Sequence, residues 1–170
     1  MYKIFNPRIE MIRKVIGKDF DFIYTLYMHP SINPYLLYEV MDASKFKPIF
    51  KNLQKQGILY IYEDGGEDAG MFKLLPLTYR NSHIAYLGGV AVHPSFAGRG
   101  HGVKMLQEII AYAKAKGFLR IELSVASGNK KAIHLYEKAG FEKEGLLKNY
   151  TYLTSEKKFI DEVLMTYLYS

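Results

Sequence analysis

The chain has no cysteine among its 170 residues. That excludes a disulfide framework, a cysteine nucleophile and a thiolate metal site, so neither folding nor chemistry can depend on a protein thiol. Long apolar runs are missing as well: none approaches the roughly 20 residues needed to cross a bilayer. The opening stretch, Met1 to Glu10, mixes Lys3, Asn6, Pro7 and Arg8 into its apolar residues where a signal peptide would build a continuous core. The expectation is a soluble, cytoplasmic protein with no membrane partner. Basic runs are equally short, since the 23 Lys and Arg are scattered and the longest clusters are the pairs Lys130-Lys131 and Lys157-Lys158. A nucleic-acid footprint needs a stripe or patch, so nucleic acid is not the expected partner. The net charge of +6 and the pI near 9.3 still favour an anionic ligand, and a phosphate-bearing cofactor is one.

What is present suits one domain spanning 1–170, because 49% hydrophobic content over this length supplies a single buried core. Met11 to Ile16 reads as a short strand, followed by Asp19 as a helix N-cap and an apolar face of Phe22, Ile23, Leu26 and Tyr27 that ends at His29-Pro30. Asp42 opens a second helix through Phe46, Ile49, Phe50 and Leu53, closed by Gly57. Ile58 to Tyr62 and Gly70 to Leu75 form an antiparallel hairpin around the loop Glu63 to Asp68. His83 to Val92 is apolar on both faces, as a central strand should be, with a bulge or close backbone approach expected at Gly88-Gly89. A helix from Gly100 to Lys116 follows, then a strand in which Leu119, Ile121, Leu123 and Val125 alternate with polar or outer residues. A further helix covers about Asn129 to Ala139. The last strands are Phe141 to Lys148 and Glu162 to Leu168, joined by a connection from Asn149 to Asp161. This order predicts an α/β (α+β) sandwich.

Two segments carry chemistry. In Val90-Ala91-Val92-His93-Pro94-Ser95-Phe96-Ala97-Gly98-Arg99-Gly100-His101-Gly102 a buried strand enters a glycine-rich turn that opens a helix. The first helical amides there have no intrahelical acceptor, and glycines admit a ligand close to the main chain, so a phosphate group is the natural guest. The second segment is Asn129-Lys130-Lys131-Ala132-Ile133-His134-Leu135-Tyr136-Glu137-Lys138-Ala139-Gly140-Phe141. Together, in this order and spacing, they resemble the GNAT superfamily of N-acetyltransferases: a Val-x-Pro strand end with Gly-x-Gly, then Asn-x-x-Ala-x-x-Leu-Tyr-x-x-x-Gly-Phe. The resemblance is closest from Tyr86 to Phe141.

The resemblance implies a central mixed, mostly antiparallel sheet of six to seven strands, splayed at its middle and flanked by about four helices. It implies acetyl-coenzyme A as cofactor and no metal. Val90, Ala91 and Val92 would pair with pantetheine, and the stretch Gly98, Arg99, Gly100, His101, Gly102 and Val103 would hold the pyrophosphate. Ala97 departs from the Gln or Arg common in the family, and Arg99 either compensates or is a solvated surface cation. Asn129 and Ala132 would border the pantetheine, with N-capping as a parallel role for Asn129. Tyr136 matches the tyrosine that assists the departing thiolate as a general acid, against the alternative of a core aromatic.

For the acceptor, the first two helices, their connection and the segment before the last strand offer Tyr35, Tyr38, Glu39, Tyr150 and Tyr152, as a substrate wall or as packing tyrosines. Tyr35, Glu39, Tyr86 and Tyr150 are the candidate substrate contacts. An amine near pKa ~10 needs a proton acceptor; Glu39, Tyr86, His83 and Glu122 are candidates and none stands out, while His93 reads as a strand-end residue. The segments 29–38 and 148–161 look similar to a branch that acetylates free amino acids and small amines. Open readings are a small-molecule amine acetyltransferase, an enzyme acting on protein N-termini or polyamines, and a non-catalytic acyl-coenzyme A sensor. The resemblance also admits a homodimer.

Overall fold

In the computed structural model, which describes residues 11–170, alternating apolar residues build a seven-stranded sheet; the reading of Met1 to Glu10 lies outside the described residues. The strands are β1 (Ile12–Lys14), β2 (Leu59–Asp64), β3 (Glu67–Pro76), β4 (Ile84–Val92), β5 (Arg120–Ala126), β6 (Glu142–Leu153) and β7 (Lys158–Leu168). Their order is β1-β2-β3-β4-β5-β7-β6, antiparallel everywhere except between β4 and β5. Four helices, α1 (Phe20–Met28), α2 (Ala43–Gln56), α3 (His101–Ala115) and α4 (Lys130–Lys138), complete the expected mixed architecture. Among the described residues no helix is long and apolar enough to cross a membrane.

Each sheet face has its own core. Phe72, Leu74, Leu87, Ile121, Leu123 and Met165 pack with Met105, Leu106 and Ile109 of α3 and Ile133 of α4. Across the sheet, Leu59, Ile61, Met71 and Ala91 meet Ile23, Leu26 and Tyr27 of α1 and Phe46, Phe50 and Leu53 of α2. Burying a side chain of this size contributes about 1.5–3 kcal/mol, so both layers are needed to hold the central strands in place.

Four expectations change in detail. The loop Glu63 to Asp68 shrinks to the two-residue turn Gly65-Gly66, whose φ values of +61° and +83° suit a tight hairpin. The connection Asn149 to Asp161 is mostly strand, with Thr151 opposite Ile160 and Tyr152 opposite Phe159; its exposed polar residues conceal the alternation. Leu119 precedes β5 and is exposed, leaving Ile121, Leu123 and Val125 as the buried face. Asp19 stands at the start of α1 with no capping hydrogen bond, because its buried carboxylate accepts from Arg13 Nη1 at 2.7 Å, Nη2 at 3.1 Å and the Ile16 amide at 2.7 Å. Burial alone would push that carboxyl up; these donors bring it below its ordinary value.

At the other end of the sheet Arg120 grips Glu144 through Nη1 at 2.8 Å and Nη2 at 2.7 Å, and Thr166 adds its hydroxyl at 2.8 Å. The guanidinium first, then Thr166, hold the Glu144 carboxyl at about 2. A carboxyl lowered on folding contributes stability that is complete above its unfolded value of about 4.3 and is lost as pH falls through the folded value. The thermal midpoint should therefore drop between about pH 4 and pH 2, and Glu144→Gln should shallow that limb. Solvent screening keeps the effect modest. An identical acid limb in the variant would show that the pair contributes nothing.

Candidate functional site

β4 and β5 run together only where Ile84, Ala85 and Tyr86 oppose Arg120, Ile121 and Glu122. Beyond Tyr86 they part, while β4 keeps β3 as partner to Val92 and β5 keeps β7 to Ala126. The two inner edges thus present main-chain groups with no strand beside them, and such groups seek a ligand or water. The cause is local. Lys73 faces Gly88 but Met71 faces Ala91, so β4 carries one extra residue at a bulge. Gly89 takes it up with φ +58°, and a Cβ there would lie 2.9 Å from Tyr27 Oη, so both conformation and space demand glycine.

A cavity of about 460 Å³ fills the opening. Val90, Ala91 and Val92 line it from β4, Ser124 to Ala126 from β5, and Asn129, Ala132 and Tyr136 from α4. Its outer end is walled by Tyr35 and its neighbours in the α1–α2 connection, by Lys73 and Tyr86, and by Tyr150, Thr151 and Glu162 of β6 and β7. Sequence candidates from four separate stretches therefore meet in one space. Glu39 is not in this wall. Its carboxylate accepts from the Ser155 amide at 2.9 Å and from the Ser155 hydroxyl, tying the α1–α2 connection to the β6–β7 turn.

Asn129 does cap α4, its Oδ1 accepting from the Ala132 amide at 3.2 Å, and lines the cavity as well. Tyr136 lies edge-on to Phe141 with ring centroids 5.8 Å apart. Burial first, then the neighbouring Tyr86, raises its phenol well above the ordinary value, so the proton stays on at neutral pH. Among the described residues no group hydrogen-bonds to that hydroxyl. Tyr86 Oη and Ser124 Oγ are 2.8 Å apart, and Glu162 Oε1 accepts from Thr151 Oγ1 at 2.6 Å. Strand register puts Tyr86, Ser124 and Glu162 on one sheet face.

Past β4, Gly98 and Gly100 have φ values of +76° and +77°, and α3 starts without a side-chain cap. The amides of His101, Gly102 and Val103 are thus donors without intrahelical acceptors. Gly102 also packs closely on α4, since a Cβ there would lie 3.0 Å from the Leu135 side chain, which would have to shift by a few tenths of an ångström. Arg99 folds back, Nη2 donating to the Ser95 carbonyl at 2.5 Å and the guanidinium lying 5.5 Å from the Phe96 ring. His101 meets Phe96 edge-on; its Nδ1 is 3.3 Å from Asp64 Oδ2 but out of line for a hydrogen bond. His93 stacks on Phe22 and accepts the Ser95 amide, a structural part. Of the remaining base candidates, His83 is exposed just ahead of β4 and Glu122 pairs with Arg120 Nε at 3.1 Å.

Sequence reasoning passed over Lys73 and Glu162. The available signal was a charged residue in or bordering an apolar strand run. Lys73 interrupts Met71-Phe72-Leu74-Leu75, and Glu162 opens the run to Leu168.

The profile of the Acetyltransferase (GNAT) family matches residues 18–141. The chain belongs to this family. Its GNAT relatives include the ribosomal protein bS18 alanine N-acetyltransferase of Salmonella typhimurium, 36% identical over 66 residues, which are 39% of this chain and 45% of that one. The spermidine N(1)-acetyltransferase of Vibrio cholerae is 26% identical over 144 residues, 80% of each chain. Against several curated relatives this GNAT chain spans less than half their length, 30% to 45%. Among solved structures, the Vibrio cholerae spermidine N-acetyltransferase in complex with CoA and spermine superposes with a TM-score of 0.79 at 22% identity, over 92% of this chain and 94% of that one. That likeness establishes the GNAT fold.

Proposed function

We propose that this chain is an N-acetyltransferase that moves acetyl from acetyl-coenzyme A directly to the primary amine of a small molecule. The observation that carries the reading is the single cavity that joins the parted edges of β4 and β5 to Tyr136 at one side and Glu162 at the other. The site fits the cofactor. The free edge of β4 from Val90 to Val92 suits an amide-bearing arm, Asn129 and Ala132 border it, and the amides at the start of α3 suit a pyrophosphate. Bound acetyl-coenzyme A supplies an acetyl thioester, whose carbonyl carbon takes the new N–C bond as the C–S bond breaks.

The protein's own share is positioning and proton handling. Tyr136 Oη holds a proton for the leaving sulfur. Glu162 attracts the acceptor's ammonium and takes its proton, with Thr151 fixing the carboxylate. Tyr35 and Tyr150 flank the entrance with half-exposed rings. The Glu39–Ser155 tie draws the β6–β7 turn to the α1–α2 connection, which favours a small acceptor over an extended peptide. With no cysteine in the sequence, no thioester with the protein can form.

Release of coenzyme A against amino acids, polyamines, aminoglycosides and N-terminal peptides, with mass detection of products, tests the reading. Turnover of a small amine supports it; binding of acetyl-coenzyme A with no turnover of any acceptor would favour a sensor. Glu162→Gln should lower kcat/KM by about 10²-fold with acetyl-coenzyme A affinity unchanged. An unaltered rate would remove Glu162 from the chemistry.

A further inference from the structure

Lys73 is 7% exposed, yet it lines the acceptor end of the cavity. It sits on the α1–α2 face of β3 between Met71 and Leu75, and its side chain runs along the bulge, Cε lying within 3.7 Å of where a Cβ would stand at Gly88 and within 3.4 Å at Gly89. Those two glycines therefore make the channel through which the ammonium reaches the cavity. Its neighbour is the Tyr38 ring, 5.3 Å from Nζ. Asn33 fixes that ring's backbone, donating to the carbonyls of both Tyr27 and Tyr38. Among the described residues no carboxylate comes within ion-pair distance of Lys73. The carboxylate that shares the cavity, Glu162, is engaged by Thr151. A ring face offsets only part of what burying an ammonium costs. The Tyr27 hydroxyl, on the same side of Gly89 as the Lys73 stem, is buried without a hydrogen-bond partner, so the immediate surroundings of Lys73 offer a polar hydroxyl and no anion.

Resting on the acetyltransferase reading, we infer that Lys73 is the specificity residue for an acceptor that carries a carboxylate beside its amine, so that the substrate class is amino acids. Glu162 takes the ammonium end and Lys73 the carboxylate end, and the acceptor itself brings the countercharge that Lys73 lacks. Burial lowers the Lys73 ammonium below its ordinary value, which an entering carboxylate reverses. A polyamine meets the opposite situation, since its second ammonium is driven toward a like charge. The wall built by Lys73 thus discriminates by repulsion as well as attraction.

The test uses amino acids, each with its carboxamide and its decarboxylated amine, against wild type, Lys73→Met and Lys73→Gln. Wild type should favour the carboxylate member by about 10- to 100-fold in kcat/KM, the worth of a hydrogen bond to a charged group. Both variants should lose that preference through a higher KM for the amino acid, leaving the decarboxylated amine's rate in place. Equal loss of kcat on all three acceptors would overturn the proposal in favour of a role at the reacting atoms. A wild-type preference for the decarboxylated amine or for polyamines would overturn it as well.

Calorimetric binding of the amino acids in the presence of coenzyme A separates this inference from the one beneath it. Binding that depends on Lys73 without acetyl transfer would retain the carboxylate subsite and refute the transferase reading; binding indifferent to Lys73 would refute the subsite. The thermal midpoint of Lys73→Met, with an unpaired buried charge replaced by an apolar chain of similar length, should not fall.

Discussion

Tyr136→Phe should slow acetyl transfer by about 10²-fold or more while acetyl-coenzyme A binds as before. The ring's packing against Phe141 is unchanged by loss of one oxygen, so folding and the shape of the cavity are preserved. What disappears is a proton held on a half-buried phenol. A phenol whose ionisation is suppressed by its surroundings keeps its proton at neutral pH, which suits it, in the proposed reaction, to the departing sulfur and not to the incoming amine. Single-turnover measurements separate the steps: the variant should show normal binding and a slow chemical phase. A chemical phase equal to wild type would reduce Tyr136 to a wall of the cavity.

Gly89→Val should be the most damaging single change to the architecture of the site. At φ +58° a β-branched residue is strained by roughly 1–3 kcal/mol, and its side chain would be forced onto the Tyr27 hydroxyl and the Lys73 stem. Overpacking of that kind costs about 1–3 kcal/mol more. Relief requires the bulge to move, and with it the edge of β4 from Val90 to Val92. Two readouts should therefore fall together, the thermal midpoint and the affinity for coenzyme A. A variant that is destabilised yet binds coenzyme A normally would show that the parting of β4 from β5 does not depend on this residue.

The half of the proposed site that would take the cofactor was legible as backbone geometry, because its requirements are main-chain requirements. Glycines at 88, 89, 98, 100 and 102 mark places where backbone must bend or be approached, and such residues stand out in a sequence. The bulge at Gly88-Gly89 and the helix opening at Gly100 lie where the residue pattern puts them. The proposed acceptor half was legible only in part, with Tyr35, Tyr86 and Tyr150 named from the sequence and Lys73 and Glu162 passed over. Its walls come from Tyr35, Lys73, Tyr86, Tyr150 and Glu162, five residues brought together by sheet order and not by any local spacing. Lys73 and Glu162 look like ordinary strand charges until β3 and β7 are placed on either side of the gap. Glu39 shows the converse: a carboxylate in the right region whose oxygen is already taken by Ser155, 116 positions away. The long β6–β7 hairpin was missed for a related reason, since its outer residues Tyr150, Tyr152 and Phe159 are exposed and no buried face betrays the period.

The single extra residue in β4 also acts as a change of reading frame. Strand geometry sends alternate residues to opposite faces, so Ala85 and Leu87 would be followed on the same side by Gly89 and Ala91. Instead Val90 and Val92 join them against α3 and α4, while Ala91 turns to α1 and α2. To the two hydrophobic layers β4 is one uninterrupted strand with its facing preserved end to end; to anything lying along its free edge it is two strands out of phase. One inserted residue thus lets the same segment serve the core through its faces and keep a free edge for the proposed cofactor, with neither task constraining the side chains of the other.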